Sequence, residues 1–262
     1  MLHFLTFKEI SNKQLAPDLI GGKASSLAIL YQHDFPVPEG FVITTEFFGS
    51  FSKENKLMEF SNQDIKTINQ LIGECSPRGL VAVRSSASVE DSNSQSYAGQ
   101  FDSFLNVEKD NVPEMVKQCW HSINNTRAQQ YAHGKNTNLK MAVIVQKMIN
   151  SEVSGVAFST NPVTGDKDSI VIEAVLGSNE LLVQGAITPD LYIVSRIFTI
   201  LDKKIIPQTK NDQQKLSDDQ IIEVARLVVD VRHIFNTEVD VEWAIENGKL
   251  FILQSRPITT VQ

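Results

Sequence analysis

The sequence predicts an α+β fold built mainly from antiparallel sheets, and three observations carry this. Segments rich in Val, Ile and Phe recur along the chain, bounded by Gly, Pro, Asn or Ser as strands are. Several follow one another directly, so the strict strand–helix alternation of a doubly wound fold is missing. Three longer segments instead carry apolar residues at helical spacing. With 262 residues, 42% hydrophobic and 21% charged, the chain is long and apolar enough to bury a core without disulfide or metal support.

Taken in order, Gly22–His33 sets Leu27, Leu30 and Tyr31 on one helical face, and Phe41–Thr45 reads as a strand. Glu46–Cys75 reads as one or two polar surface helices. Strands at Leu80–Arg84 and Phe101–Val107 precede a helix over Val112–Tyr131. There Val112, Val116, Cys119, Trp120 and Ile123 share a face, and Pro113 is tolerated in the first turn. Leu139–Met148, Val153–Ser159, Ile170–Val175 and Leu191–Ser195 follow as strands. Pro207–Lys215 reads as an exposed connection. Ser217 and Gln220 form the S-x-x-Q box that opens a helix to Phe235, with Ile221, Ala225 and Val228 on its apolar stripe. Strands Thr237–Glu246 and Leu250–Gln254 close the pattern, joined by Asn247-Gly248, a strong hairpin signal. The polar stretch Ala132–Asn138 marks the joint between two expected lobes, 1–135 and 136–262.

Charge and composition exclude several classes. With 24 basic against 31 acidic residues the net charge is −7, which argues against a broad nucleic-acid surface. Any anion must be held by a few focused groups. Cys75 and Cys119 form no disulfide framework and read as small core residues in a reducing, cytoplasmic setting. The longest apolar runs, Leu27–Tyr31 and Met141–Val145, are five residues each, against about 20 for a membrane span, so no membrane partner is expected. The start of the chain lacks the pattern of a signal peptide. The five histidines have no metal-binding spacing, and no G-x-S-x-G elbow, G-x-G-x-x-G turn or Walker A loop occurs.

Four segments could carry chemistry. Gly21-Gly22-Lys23 opens a helix, where backbone N–H groups and a lysine could receive an anion; a plain turn with a solvated lysine has the same pattern. The strand at Leu80 delivers Arg84 and then a run of serines, groups suited to phosphate oxygens, or an ordinary Ser-rich loop with an ion-paired arginine. Alternation in Val239–Trp243 puts Asp240 and Glu242 on one face, and the returning strand adds Gln254 and Arg256 beside them. Two such carboxylates suit Mg²⁺, although a solvated face with cross-strand ion pairs would look alike. The strand Val143–Met148 leading into VSGVAFSTNP could wall an adenine ring, or be only a buried strand.

Five segments resemble one known family in order and phrasing: GGKASSLAIL, FPVPEGFVITT, VAVRSSASVEDSNSQSYAGQFDSFLNV, VIVQKMINSEVSGVAFSTNPVTGD and VDVEWAIENGKLFILQSRPITT. From about Gly21 to Thr260 the sequence resembles the ATP-grasp nucleotide-binding domain of phosphoenolpyruvate synthase, pyruvate phosphate dikinase and rifampicin phosphotransferase. The resemblance implies two ATP-grasp lobes with mainly antiparallel sheets clasping Mg-ATP. It implies a dikinase-like phosphotransferase that converts ATP to AMP and phosphate. The phosphoryl group would pass to a histidine on a separate carrier protein or directly to a small molecule.

By the same resemblance Lys23 and Arg84 contact the phosphates, and Gly99 and Ser103 belong to the loop and strand covering the nucleotide. Gln146 lies at the adenine edge beside Lys147 and Met148. Glu242 and Gln254 hold Mg²⁺ and phosphate with Asp240 nearby, and Arg256 stabilises the transferred group. The chain departs from the family in several places. It is expected to be the ATP-binding module alone, without phosphohistidine or pyruvate-binding domains. Glu46–Cys75 and Trp120–Lys140 look short. Gly177-Ser178-Asn179-Glu180 stands where relatives show a Gly-Leu-Gly-Glu-like turn. Two alternatives stay open: a ligase working through an acyl phosphate, and a non-catalytic ATP-binding subunit.

Overall fold

A computed structural model describes residues 2–13, 15–52, 59–88, 102–124, 140–183, 185–207 and 214–258. The α+β class with antiparallel sheets is what it has. Contacts divide the chain into two units, Met1–Asp34 with Pro38–Met148, and Phe35–Val37 with Ile149–Gln262. The expected joint at Ala132–Asn138, and with it the 135/136 boundary, lies outside the described residues.

The first unit is a five-stranded sheet in the order β1 (Phe4–Thr6), β2 (Gly40–Ile43), β5 (Met141–Lys147), β3 (Leu80–Ala87), β4 (Ser103–Glu108), all pairs antiparallel. Strand 141–147, assigned by sequence to the second lobe, therefore lies inside this first sheet. Its buried apolar run is explained by neighbours on both sides, β2 and β3. Among the described residues the unit has six helices: α1 (Phe7–Lys13), α2 (Pro17–Ile20), α3 (Gly22–Gln32), α4 (Thr45–Ser52), α5 (Asn62–Cys75) and α6 (Val112–His121).

Period-two alternation splits this sheet into two faces. Phe41, Ile43, Val81, Val83, Ala87, Met141, Val143 and Val145 point into one hydrophobic core with residues of α4, α5 and α6. Trp120 sits in that core, stacked on Phe60 at 5.8 Å between ring centres, and its indole Nε1–H donates to the Met141 carbonyl at 3.2 Å. α4 and α5 are therefore not merely polar surface helices. They bury Phe47, Ile68 and Ile72, because one apolar stripe is enough to dock a mostly polar helix. α5 starts at a capping box in which Ser61 and Asp64 satisfy each other's backbone N–H. α6 ends at His121, ten residues short of the expected Tyr131; a 3₁₀ turn over Ser122–Asn124 follows, and 125–139 lie outside the described residues. Cys119 is buried as expected, whereas Cys75 is only half-buried.

The second unit is a six-stranded antiparallel sheet in the order β11 (Lys249–Pro257), β10 (Val239–Glu246), β6 (Val153–Phe158), β7 (Ser169–Leu176), β8 (Asp190–Ser195), β9 (Ile200–Lys204). A one-turn helix α7 (Glu180–Val183) and the long α8 (Asp218–Phe235) complete it. α8 packs across β6 to β10, burying Ile221, Val224, Ala225, Val228 and Val231. The sheet face beneath it carries Ile172, Ala174, Tyr192, Val194, Val241 and Trp243, all fully buried. The predicted capping box holds. Ser217 Oγ accepts from Gln220 N at 3.2 Å, and Gln220 Oε1 accepts from Ser217 N at 2.9 Å.

Lys215 corrects the expectation of an exposed connection before α8. It is buried, and its Nζ donates to Asp190 Oδ1 at 2.6 Å and to the Ile206 carbonyl at 2.9 Å. Asp190 also accepts from Tyr192 OH and Ile206 N. Burial alone would raise its pKa, but these donors outweigh burial and hold the carboxyl below the usual range. Residues 208–213 lie outside the described residues.

Candidate nucleotide-binding residues

In the first unit the expected residues meet on the sheet face opposite the Trp120 core. Arg84 pairs with Ile144 of β5 and with Ser103 of β4, and Gln146 pairs with Ala82 and Gly40. Directly paired residues of antiparallel strands point the same way, and i, i+2 neighbours do too. Arg84, Ser103 and Gln146 therefore share one face, together with Ser86.

The Gly21-Gly22-Lys23 turn packs onto this strand. Gly21 has φ 79° and ψ 164°, a conformation essentially restricted to glycine. A Cβ there would run into the Ser86 carbonyl oxygen and hydroxyl. Lys23 is buried, at 9% exposure, and its Nζ donates to the Ser85 carbonyl at 3.2 Å. The solvated-lysine reading is thus corrected: close packing of α3 on β3 takes the lysine out of water. The Ser-rich loop reading is corrected as well, since β3 runs on to Ala87 with Ser85 and Ser86 fully buried. Gln146 is 2% exposed, and its Nε2 donates to the Pro38 carbonyl at 3.1 Å. Met148 follows β5, its N–H donating to Leu80 O at 3.2 Å. Gly99 and the loop VEDSNSQSYAGQ lie outside the described residues.

In the second unit the hairpin has the expected turn and brings the four expected residues to one side, though through a register shift that was not expected. Asn247 and Gly248 take φ 52° and 70°, the positive values a two-residue hairpin turn needs. A β-bulge between Glu242 and Trp243 moves the register by one residue beyond the turn, and with that shift Asp240 faces Arg256 and Glu242 faces Gln254. Arg256 Nε donates to both Asp240 oxygens, at 2.9 and 2.7 Å. Asp240 and Gln254 are buried, at 7% and 8% exposure, and Glu242 and Arg256 are half-buried. This is not a fully solvated face.

The register adds a residue that sequence reasoning missed. Glu242 pairs with Val156 on β6, and Val156 pairs with Glu173 on β7, so Glu173 lies on the same face two strands away. Burial pushes its carboxyl pKa upward. The available signal was a lone acid inside the apolar run IVIEAVL.

Among the described residues no group of three His, Cys, Asp or Glu side chains is close enough to cage a metal. Mg²⁺ commonly takes one or two protein carboxylates and completes its shell with water and phosphate oxygens. Asp240, Glu242 and the Gln254 side-chain oxygen are hard donors of that kind. A cavity of about 480 Å³ lies elsewhere in the second unit, against Arg226, Asp230, Lys249 and Phe251. None of the expected site residues lines it.

Comparison with known proteins decides the family. The pyruvate phosphate dikinase AMP/ATP-binding domain matches residues 17–71 and 62–262. The chain belongs to this family. A probable phosphoenolpyruvate synthase of Methanocaldococcus jannaschii is 34% identical over 315 aligned positions, covering 97% of this chain and 26% of that protein. An uncharacterized phosphotransferase of Bacillus subtilis is 33% identical, covering 93% and 34%. A prodigiosin synthesizing transferase of Serratia marcescens is 31% identical, covering 95% and 32%. The chain thus spans about a quarter to a third of these relatives' length. The family match breaks into two pieces that overlap at 62–71, inside a segment the sequence marks as short for the family. Among the described residues no helix is long and apolar enough to cross a membrane.

Proposed function

We propose that this chain binds Mg-ATP and passes a phosphoryl group to an acceptor supplied from outside it. Membership of an AMP/ATP-binding domain family supports the nucleotide. The observation that carries the reading is the β10–β11 register, which sets Asp240 opposite Arg256 and Glu242 opposite Gln254. Two acids and an amide oxygen beside an arginine suit a metal-bound phosphate chain: the acids take the cation, and the guanidinium takes the anion.

In this reading Lys23 and Arg84 contact phosphate oxygens, with Gly99 and Ser103 beside the nucleotide and Gln146 and Met148 at the base. Glu242, Gln254 and Asp240 hold Mg²⁺, whose role is to neutralise phosphate charge. Arg256 is held by Asp240 in a fixed orientation and stabilises charge on the group in transit. The work of these side chains is positioning and charge neutralisation, which is most of what phosphoryl transfer asks of a protein. AMP and inorganic phosphate are the expected products: the acceptor takes the β,γ-pyrophosphoryl group and AMP leaves, then water releases the outer phosphate and the inner phosphoryl group stays on the acceptor. The acceptor is a histidine of a separate carrier protein or a small molecule with a nucleophilic oxygen or nitrogen.

The test is incubation with ATP and Mg²⁺, with and without candidate acceptors, resolving AMP from ADP. Glu242→Ala should abolish acceptor-dependent ATP consumption and weaken Mg-ATP binding. Unchanged turnover by that variant in a clean preparation would refute the assignment.

A further inference from the structure

We infer that Ser86 is a positioning residue for the nucleotide-binding turn, holding Lys23 and the start of α3 in place on β3. The inference rests on the reading that Lys23 contacts ATP phosphate. The first N–H groups of a helix have no partner within it, and a Ser, Thr, Asp or Asn at the N-cap normally accepts from one of them. Here the N-cap is Gly21, which has no side chain to offer. Gly21 cannot be exchanged for a capping residue, because its φ of 79° and its packing against Ser86 leave no room for a Cβ.

The missing cap comes from a residue 62 positions away. Ser86 Oγ accepts from Ala24 N, inside the first turn of α3, at 3.1 Å. The same hydroxyl donates to the carbonyl of Ile20, the last residue of α2, at 3.0 Å. One buried side chain thus ties the end of α2 to the beginning of α3, and both to β3. Lys23 adds its own bond to the neighbouring Ser85 carbonyl at 3.2 Å. Arg84 is two residues before Ser86 on the same strand and the same face, so this joint fixes Lys23 relative to Arg84. The serine does not need to touch the nucleotide to matter for it. A phosphate chain held between two cations loses affinity when either moves by a fraction of an ångström.

The test is a double-mutant cycle read by calorimetric titration with Mg-ATP, comparing the parent, Ser86→Ala, Lys23→Ala and the double variant. Lys23→Ala should weaken Mg-ATP binding. Ser86→Ala, which strands one acceptor and one donor, should weaken it about tenfold, or about 1.4 kcal/mol. Because Ser86 acts through Lys23, the double variant should bind no more weakly than Lys23→Ala alone. Penalties that simply add would mean that Ser86 acts on the fold at large, and would overturn the inference. So would a Ser86→Ala variant that binds like the parent while Lys23→Ala does not. If Lys23→Ala itself binds Mg-ATP like the parent, the underlying nucleotide reading falls instead. Ser86→Cys keeps the side-chain volume with a much weaker hydrogen-bonding group, and it takes the place of Ser86→Ala in the same cycle should the alanine variant not fold.

Discussion

Replacing Gly21 with alanine tests the packing of the nucleotide-binding turn more severely than any substitution of a polar group. Two separate costs follow from the geometry. The backbone at φ 79° and ψ 164° is a conformation essentially closed to residues with a Cβ, and forcing one into it costs about 1–3 kcal/mol. The new methyl would also collide with the Ser86 carbonyl and hydroxyl, which are main chain and a short side chain of a strand paired on both sides and cannot swing aside. Overpacking of that kind costs about another 1–3 kcal/mol, so about 2–6 kcal/mol in all. Native domains are stable by only about 5–15 kcal/mol, so the loss should be plain in urea denaturation, with the midpoint falling and the slope unchanged. Gly73→Ala is the control. Gly73 is exposed on α5 and a Cβ there meets nothing within 4 Å, so alanine should stabilise by about 0.5–1 kcal/mol through helix propensity. A Gly21→Ala midpoint equal to the parent's would refute the claim that α3 is pressed onto β3 at this point.

Three further outcomes are expected. Lys215→Met leaves the buried Asp190 carboxylate without its ammonium partner and should cost about 3–5 kcal/mol at pH 7 in urea melts. Asp190 has a depressed folded pKa, so its stabilisation is fully present above the unfolded value of about 3.9 and fades as pH falls through the folded value; Lys215→Met should therefore flatten the acid limb of the stability curve, and an unchanged limb would count against the pair. Glu173 has a raised folded pKa, so it costs stability as pH rises above the unfolded value of about 4.3; Glu173→Gln should melt above the parent at pH 7 and level with it near pH 3, and a lower Tm at pH 7 would contradict the placement. Trp120→Phe removes the bond to the Met141 carbonyl and part of the Phe60 stack, which should cost about 1–3 kcal/mol by thermal melting, whereas a surface site would cost almost nothing.

What was legible in the sequence follows from how local each signal is. The turn of the hairpin was legible because Asn247-Gly248 favours a tight turn that pairs Glu246 with Lys249, whereas the β-bulge between Glu242 and Trp243, which moves the register by one residue and so sets Asp240 against Arg256, carried no such signal. The start of α8 was legible because both halves of its capping box lie within four residues. β1 and α2 escaped notice because segments of three and four residues are too short to show a period. β9, Ile200–Lys204, escaped because an edge strand can be charged and exposed, and so lacks the alternation that marks a half-buried one. The burial of Lys23 and Lys215 was invisible for a different reason. Each is decided by a partner far away in sequence, the Ser85 carbonyl 62 residues on and the Asp190 carboxylate 25 residues back.

The same reasoning explains why the candidate residues of each unit fall on one face. A strand that gives alternate side chains to the core has only the intervening positions left for polar groups. In the first sheet Val81 and Val83 take the core positions, so Arg84 and Ser86 are turned to the other side. In the second, Val239, Val241 and Trp243 are fully buried, so Asp240 and Glu242 are turned away from them. The hydrophobic pattern thus does two jobs at once: it fixes the register that builds the core, and the same register assembles the polar set. A slip of one residue in β10 would bury both acids under α8 and expose the tryptophan, an error that the hydrophobic effect and the cost of burying charge both oppose. The arrangement of the polar residues is protected by the stability of the core behind them rather than by their own bonds.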